Sequence, residues 1–451
     1  MRKVLVLVSV ILGASPALGV NLNEALVSAY QNNEDLKKAR DTFLNEIEQF
    51  PQALAAFLPD IGASVSKSNT KSKAQSRLVP NATASENGTV QQVVSLNQSL
   101  FNGGADVANL RAAQSSFRVS RAAYYNSEQS ALFGAIQAYV SFYSAEQKYK
   151  ISDASVILNK KQLDAAEEKL RLGEATQTDV ASAMANYSAA EATKLNSYTE
   201  YQKAKAEFTR IFGIEPENLV LPEVPQGIPD NLDKFIAKTK AANPAMEAAR
   251  NNLTAAKSVS YAAKANLLPK VGLTFSAGKN LYEKQNLTQP TLNGLSVTSA
   301  ITVNMPIYSK GGSDYIQIRK TARNARLAVI GLEAQEKQLI SNAIAAFEGY
   351  NAGKVATDAS IKAVEAAQIA YDGIVQEEAV GSKTILEVLD SEVTLLKYRM
   401  QRVDTEANYI LAAYQIKSLE GNLTAKSLKL PVKYFEPEKE FKKVKMRIIG
   451  D

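Results

Sequence analysis

The sequence predicts an α+β chain built from two copies of one long unit. Each copy runs helix, two strands, then very long helices. Three observations carry this prediction. The chain aligns with itself at an offset near 208, short runs alternate with a period of two, and long stretches lack proline.

The first segment belongs to none of these elements. Met1-Arg2-Lys3 is a basic start, Val4 to Gly13 is mostly apolar, and Ala17-Leu18-Gly19 offers small residues for cleavage before Val20. This pattern predicts a secretory signal peptide over 1–19. The apolar run is too short for a membrane-spanning helix, which needs about 20 residues. Export is therefore expected.

The repeat is an ordered series of matches. Asn33 corresponds to Asn243, Leu58-Pro59 to Leu268-Pro269, and Phe101-Asn102-Gly103-Gly104 to Tyr308-Ser309-Lys310-Gly311-Gly312. Gly173, Thr176 and Val180 correspond to Gly381, Thr384 and Val388, and Ile211-Phe212-Gly213 lies opposite Leu419-Glu420-Gly421. Length alone suggests about three domains. The repeat replaces that with copies over 20–215 and 231–423. A Pro-rich stretch, 216–230, joins them, and a tail, 424–451, follows.

Each copy opens with a predicted helix, Asn23 to about Leu58 and Leu232 to about Leu268, the second open to interruption at Asn243-Pro244. Strands of roughly ten residues follow. Leu295, Val297, Ile301, Val303 and Met305 share one face, and Ser296, Thr298, Thr302 and Asn304 the other. Val271, Leu273, Phe275 and Ala277 alternate with Gly272, Thr274, Ser276 and Gly278, and Val94, Leu96 and Leu100 with Ser95, Asn97 and Ser99. Such alternation marks strands with one apolar face. On its own it favours a soluble antiparallel sheet packed on a core over a membrane barrel, whose signal per strand is weak. The segments Lys67 to Asn87 and Lys279 to Asn293 read as polar loops.

No proline occurs between Pro80 and Pro216 or between Pro306 and Pro431, and Gly134 is the only glycine from Asp106 to Leu172. A continuous helix over that last span would be about 100 Å long. Val156, Leu163 and Leu170, with Ala166, form one seam. Val364, Ala367, Tyr371 and Ile374 form another, and Glu378 falls where it would continue. Both predict helix-on-helix packing.

Composition excludes much chemistry. The chain has no Cys, His or Trp, so thiol, disulfide and histidine chemistry are ruled out. No Gly-rich phosphate loop or metal-ligand cluster is evident, so no enzyme activity and no cofactor are expected. The net charge of +6 is mild for 451 residues. Lys and Arg are interspersed with acids, which argues against nucleic acid as a partner. The densest basic stretch, Lys439 to Arg447, reads as a solvated end.

Three stretches carry a resemblance. They are Leu22-x-x-Ala25-Leu26-x-x-Ala29-x-x-x-Asn33, Leu96 to Gly104, and Val380-Gly381-Ser382-Lys383-Thr384-Ile385-Leu386-Glu387-Val388-Leu389-Asp390. With the signal peptide and the duplication, they resemble the TolC family of outer-membrane export channels over essentially the whole mature chain. That family usually has Pro where Ser99 stands, and Pro306 keeps it in the second copy.

The resemblance implies a homotrimer. Four strands per protomer would close one 12-stranded barrel in the outer membrane of a Gram-negative bacterium, continued by a helical coiled-coil barrel in the periplasm. It implies a passive duct for toxic compounds or proteins, in contact with outer-membrane lipid. A periplasmic adaptor would link it to an inner-membrane pump of the RND or ABC type. The rival reading is a soluble periplasmic adaptor or structural protein.

The resemblance also assigns roles at the tip. Glu387 and Asp390, three apart on one helix face, would form a constriction ring. Thr178, Asp179, Glu378 and Lys383 would form a gate network. Lys383 stands where arginine is usual, which suggests pairing with Asp179 across an interface or with Glu378. The turns Leu172-Gly173-Glu174 and Val380-Gly381-Ser382 would dock the adaptor.

Overall fold

The computed structural model describes residues 21–73, 84–284, 294–308 and 310–447; the expected signal peptide lies outside them. The chain forms α1 (Leu22–Asn32), α2 (Glu34–Ile47), α3 (Gln49–Ala55), β1 (Asp60–Lys73), β2 (Ala84–Asn102), α4 (Ala105–Leu172) and α5 (Gln177–Phe212). It continues with α6 (Leu232–Ala242), α7 (Pro244–Ala265), β3 (Lys270–Lys284), β4 (Leu295–Asn304), a 3-10 turn (Lys310–Gly312), α8 (Ser313–Ala379), α9 (Ile385–Leu419) and α10 (Pro437–Val444). The order helix, strand, strand, long helix, helix therefore occurs twice.

Two compact units arise, and each draws on both halves of the chain. One comprises Met1–Asp41, Tyr124–Pro244 and Glu336–Phe435; the other comprises Thr42–Ala123, Ala245–Gln335 and Glu436–Asp451.

In the first unit, the stripe Leu22, Ala25, Leu26, Ala29 and Tyr30 buries one face of α1. The helix predicted to continue to Leu58 breaks at Asn33. That residue is extended, and its side chain accepts from the Leu36 N–H at 2.9 Å, capping α2 instead of prolonging α1. The expected break at Asn243-Pro244 is present. Asn243 caps α6 in an extended conformation and donates to the Leu419 carbonyl at 3.1 Å. The long helices pack through aromatic rings: Phe142 and Phe208 lie 5.5 Å apart, Phe208 and Phe212 4.3 Å, and Tyr149 and Tyr201 5.6 Å. α4 runs unbroken for 68 residues, as the absence of breakers predicts.

In the second unit the four strands form one antiparallel sheet, ordered β1-β2-β3-β4. The register aligns the apolar faces. Ile61 pairs with Leu96 and Leu96 with Phe275, while Val271 pairs with both Phe101 and Val303. Three strands are longer than the expected ten residues: β1 has 14, β2 has 19 and β3 has 15. Part of the expected loops is therefore strand, with the β1–β2 ladder running on to Lys73 and Ala84. Backbone pairing does not need an apolar side chain, so the ladder outlasts the apolar alternation. The rest of both loops lies outside the described residues.

The β2–β3 register shifts between Ser99 and Phe101, at the position where Ser99 replaces the usual proline. β4 is exposed along its whole length in the single chain. It and β1 are the two edges of the sheet.

The basic C-terminus is not a free solvated end. α10 buries Phe441 and Val444, and the Phe441 ring stacks on Phe117 at 3.8 Å and meets Phe50 edge-on at 5.2 Å. Lys439 and Lys443 lie on its outer side, each paired at 2.7 Å with the glutamate three residues before it. The amphipathic spacing of Phe441 and Val444 explains the docking.

Candidate functional site: the helical tip

The turns that end α4 and α8 are built alike. Gly173 and Gly381 adopt φ of +83° and +78°. A side chain rarely adopts that region, and glycine does so without steric cost. Around the first turn the Gly173 N–H donates to Leu170 at 3.0 Å and the Glu174 N–H to Lys169 at 2.8 Å. Around the second, the Gly381 N–H donates to Glu378 and the Ser382 N–H to Glu377, both at 2.9 Å. This double bond is a Schellman closure, which satisfies carbonyls left over at a helix end. The Ser382 hydroxyl adds a third bond, to the Glu377 carbonyl at 3.0 Å.

The outgoing helices begin with matched capping boxes. In α5 the Asp179 N–H donates to the Thr176 hydroxyl at 3.3 Å, and the Asp179 carboxylate accepts from the Thr176 N–H at 2.8 Å. In α9 the Glu387 N–H donates to the Thr384 hydroxyl at 3.3 Å, and its carboxylate accepts from the Thr384 N–H at 2.9 Å. Such reciprocal bonds satisfy two otherwise free donors. The Thr176 backbone N–H, helped by its hydroxyl, holds the Asp179 carboxyl below its ordinary value. Lys383, with the Thr384 backbone N–H, pushes the Glu387 carboxyl down to about 2.

The predicted site residues are thus only partly brought together. Glu387 is occupied by Thr384 and, at 2.7 Å, by Lys383. Asp390 is exposed, and its carbonyl accepts from Thr394. Glu378 does not pair with Lys383, as one expectation had it; it is ion-paired with Lys169 of α4. Lys383 stands just before Thr384, the N-cap of α9, within reach of Glu387 in the first turn, so the local partner wins. Asp179 faces its own helix end, and Thr178 is exposed beside it. No bond joins Asp179 to Lys383 within one chain among the described residues.

Beneath the turns an apolar cluster ties three helices together. Leu163 and Ala166 of α4, Ala183 of α5 and Leu389 of α9 are buried, with Val180, Tyr187 and Ile385 packed on them. The expected α4 seam therefore holds at Leu163 and Ala166 but ends there, because Leu170 is 38% exposed. Val364, Ala367, Tyr371, Ile374 and Glu378 all keep an intermediate exposure, so the α8 stripe continues into Glu378.

A polar group that sequence reasoning missed lies close by. Glu392 of α9 is 4% exposed and accepts from Asn159 Nδ2 at 2.6 Å and Ser155 Oγ at 3.3 Å, both on α4. Burial pushes its carboxyl up. The readable signal was a carboxylate at the apolar spacing of Leu389 and Leu395. Lys169 had no such signal, since a lysine near a helix end is ordinary.

The family model described as outer membrane efflux protein matches residues 25–213 and 235–422. The chain belongs to the outer membrane efflux protein family. It is 30% identical to the outer membrane efflux protein BepC of Brucella suis, over 98% of this chain and 94% of that one. It is 24% identical to the outer membrane protein TolC of Escherichia coli, over 90% and 83%. Two solved outer-membrane proteins share its fold. The Campylobacter jejuni CmeC outer membrane channel superposes with a TM-score of 0.79 at 16% identity, covering 94% of this chain and 89% of that one. The Vibrio cholerae outer membrane protein VceC superposes with a TM-score of 0.74 at 20% identity, covering 89% and 96%.

This efflux protein is accordingly a channel protein of the outer membrane, extending into the periplasm, and not an enzyme. Its fold class is that of the trimeric channels, with a four-strand share of a β-barrel and long periplasmic helices. Membership sets aside the rival reading of a soluble adaptor. No helix among the described residues is long and apolar enough to cross a membrane.

Proposed function

We propose that the protein is the passive exit duct of a tripartite efflux pump or a type I secretion system, gated at its periplasmic tip. Three chains assemble so that β1 of one protomer pairs with β4 of the next. This removes both free sheet edges, which lipid does not tolerate. An adaptor docks on the turns and links the duct to an energised inner-membrane pump of the RND or ABC class. Substrates are small toxic compounds or proteins.

The observation that carries the reading is the exposure of Leu172 (62%) and Val380 (80%) on turns that are otherwise fully capped. Rigid turns presenting apolar side chains to water suit a partner that covers them.

In the trimer, Asp390 carries most of the constriction ring's charge, and Glu387 is a weaker member because Lys383 offsets it. Such a ring favours cations. The gate among Thr178, Asp179, Glu378 and Lys383 is wired through Lys169 as well. Lys383 remains a point charge available to Asp179 of a neighbouring protomer.

Photo-crosslinkers placed at 172 and 380 in cells test the docking. Capture of a periplasmic adaptor at both turns, with loss of export in Leu172→Asp and Val380→Asp, is the expected result. Export that persists in both variants would sink the reading.

A further inference from the structure

A second site lies in the strand-bearing unit, where β2 passes into α4 and α7 passes into β3. A cleft of about 590 Å³ opens there between the start of α4 and the end of α7. Gly103 and Gly104 form its floor, with φ of +61° and +84°. A Cβ on Gly103 would come within 2.3 Å of the Ala265 carbonyl oxygen, so glycine is needed for the two segments to approach at all.

The walls carry two kinds of side chain. Val107, Tyr261 and Leu268 are exposed apolar groups, Tyr261 at 67%. Arg111, Lys257 and Lys264 supply three cations, and among the described residues no carboxylate lines the cleft. Among the described residues none of the three cations has an ion pair, and Lys264 lies 5.7 Å above the Tyr261 ring. Elsewhere in the same unit a basic group does find acids: Arg121 is paired with both Glu247 and Glu438. Three unneutralised cations beside exposed apolar groups fit an anion with an apolar body.

Position selects the kind of anion. β2 ends at Asn102 and β3 begins at Lys270, so the cleft sits at the helix-side rim of the barrel strands. That rim is the membrane–water boundary on the periplasmic side, where Tyr, Lys and Arg gather in membrane proteins. β2 and β3 are the two central strands of the sheet, so the cleft is away from the edges that other protomers would cover. Exposed Tyr261, Leu268 and Val107 suit the lipid side, since a barrel's inner face is polar.

We propose that this cleft binds an anionic glycerophospholipid of the periplasmic leaflet. Its phosphate lies among Arg111, Lys257 and Lys264, and its glycerol and upper acyl chain lie against Val107, Tyr261 and Leu268. The charge on these residues attracts anionic headgroups over zwitterionic ones.

Native mass spectrometry of the purified assembly in nonionic detergent tests this with phosphatidylglycerol, phosphatidylethanolamine and inorganic phosphate as probes. Phosphatidylglycerol adducts are expected to exceed phosphatidylethanolamine adducts at least fivefold. The triple variant Arg111→Gln/Lys257→Gln/Lys264→Gln should abolish the excess. A control triple at exposed sites, Lys37→Gln/Lys38→Gln/Lys161→Gln, should keep it despite the same charge change. Lys257→Arg/Lys264→Arg should keep it too. If the cleft triple fails to assemble, Lys257→Glu alone, at an exposed position, should lower the excess at least twofold. Equal binding of the two lipids, equal loss in the control triple, or competition by inorganic phosphate at equimolar concentration would overturn the proposal.

Discussion

Lys169 of α4 and Glu378 of α8 are ion-paired although 209 positions separate them in sequence. The pair joins the two longest helices just before their terminal glycines. It also accounts for the carboxylate that interrupts the α8 seam: Glu378 stands where an apolar residue is expected because a lysine from the other copy meets it.

Breaking that pair should loosen the tip. Both side chains are partly exposed, so the contact is worth about 1 kcal/mol or less. Lys169→Ala or Glu378→Ala should raise open-state conductance in planar bilayers by about two- to fivefold. The exchange Lys169→Glu/Glu378→Lys should restore the wild-type value. Conductance unchanged in both single variants would show that the pair takes no part in closure.

The capping boxes should set local stability at the turns. Thr176→Ala and Thr384→Ala should each cost about 1 kcal/mol. Hydrogen exchange in the first turns of α5 and α9 would then quicken about fivefold. Glu387 is held at about 2, below its unfolded value, so its contribution is present above about pH 4.5 and fades as pH falls toward 2. Exchange of the α9 first turn that is flat between pH 5 and pH 2, after correction for intrinsic rates, would refute this.

Glu392 should behave in the opposite sense. Its folded carboxyl is raised by burial, so its proton stabilises the fold fully below about pH 4.5, and that contribution is lost as pH rises through the folded value. Glu392→Gln keeps the bonds to Asn159 and Ser155 without a charge. Its melting temperature should match wild type near pH 4 and exceed it increasingly toward pH 8. A difference independent of pH would count against a buried titrating group.

Asp390 and Glu387 should contribute unequally to ion selectivity. Asp390→Asn is expected to lower cation preference, measured as reversal potential in a salt gradient, more than Glu387→Gln. Lys383 already offsets the Glu387 charge, and the Thr384 N–H occupies its other oxygen. Equal effects would mean that the trimer releases Glu387 from its cap.

Glycine positions offer a steric control. Gly103→Ala combines a positive φ with a 2.3 Å approach to backbone, whereas Gly173→Ala meets nothing within 4 Å. The first should abolish assembly, scored as the heat-labile oligomer on gels, and the second should cost about 1 kcal/mol. Normal assembly of Gly103→Ala would require a β2–α4 junction loose enough to relieve the 2.3 Å approach to Ala265.

Much of this protein was decided locally and was legible in the sequence. The strand faces follow from a period of two, and the 68-residue α4 from the absence of breakers. Gly173 and Gly381 announce the turns; the capping boxes of Thr176 with Asp179 and Thr384 with Glu387 are just as local, although sequence reasoning missed them. Each of these depends on residues within a few positions of one another. Tertiary structure alone decided which charges meet. It gave Glu378 to Lys169, buried Glu392 against Asn159, and docked α10 through Phe441 on Phe117. Those partners come from helices far apart in the chain, and a charge takes the counter-charge that folding brings within reach. Lys383 marks the boundary between the two regimes: its partner four residues on, Glu387, competes directly with the remote ones, and within the chain the nearer acid holds it.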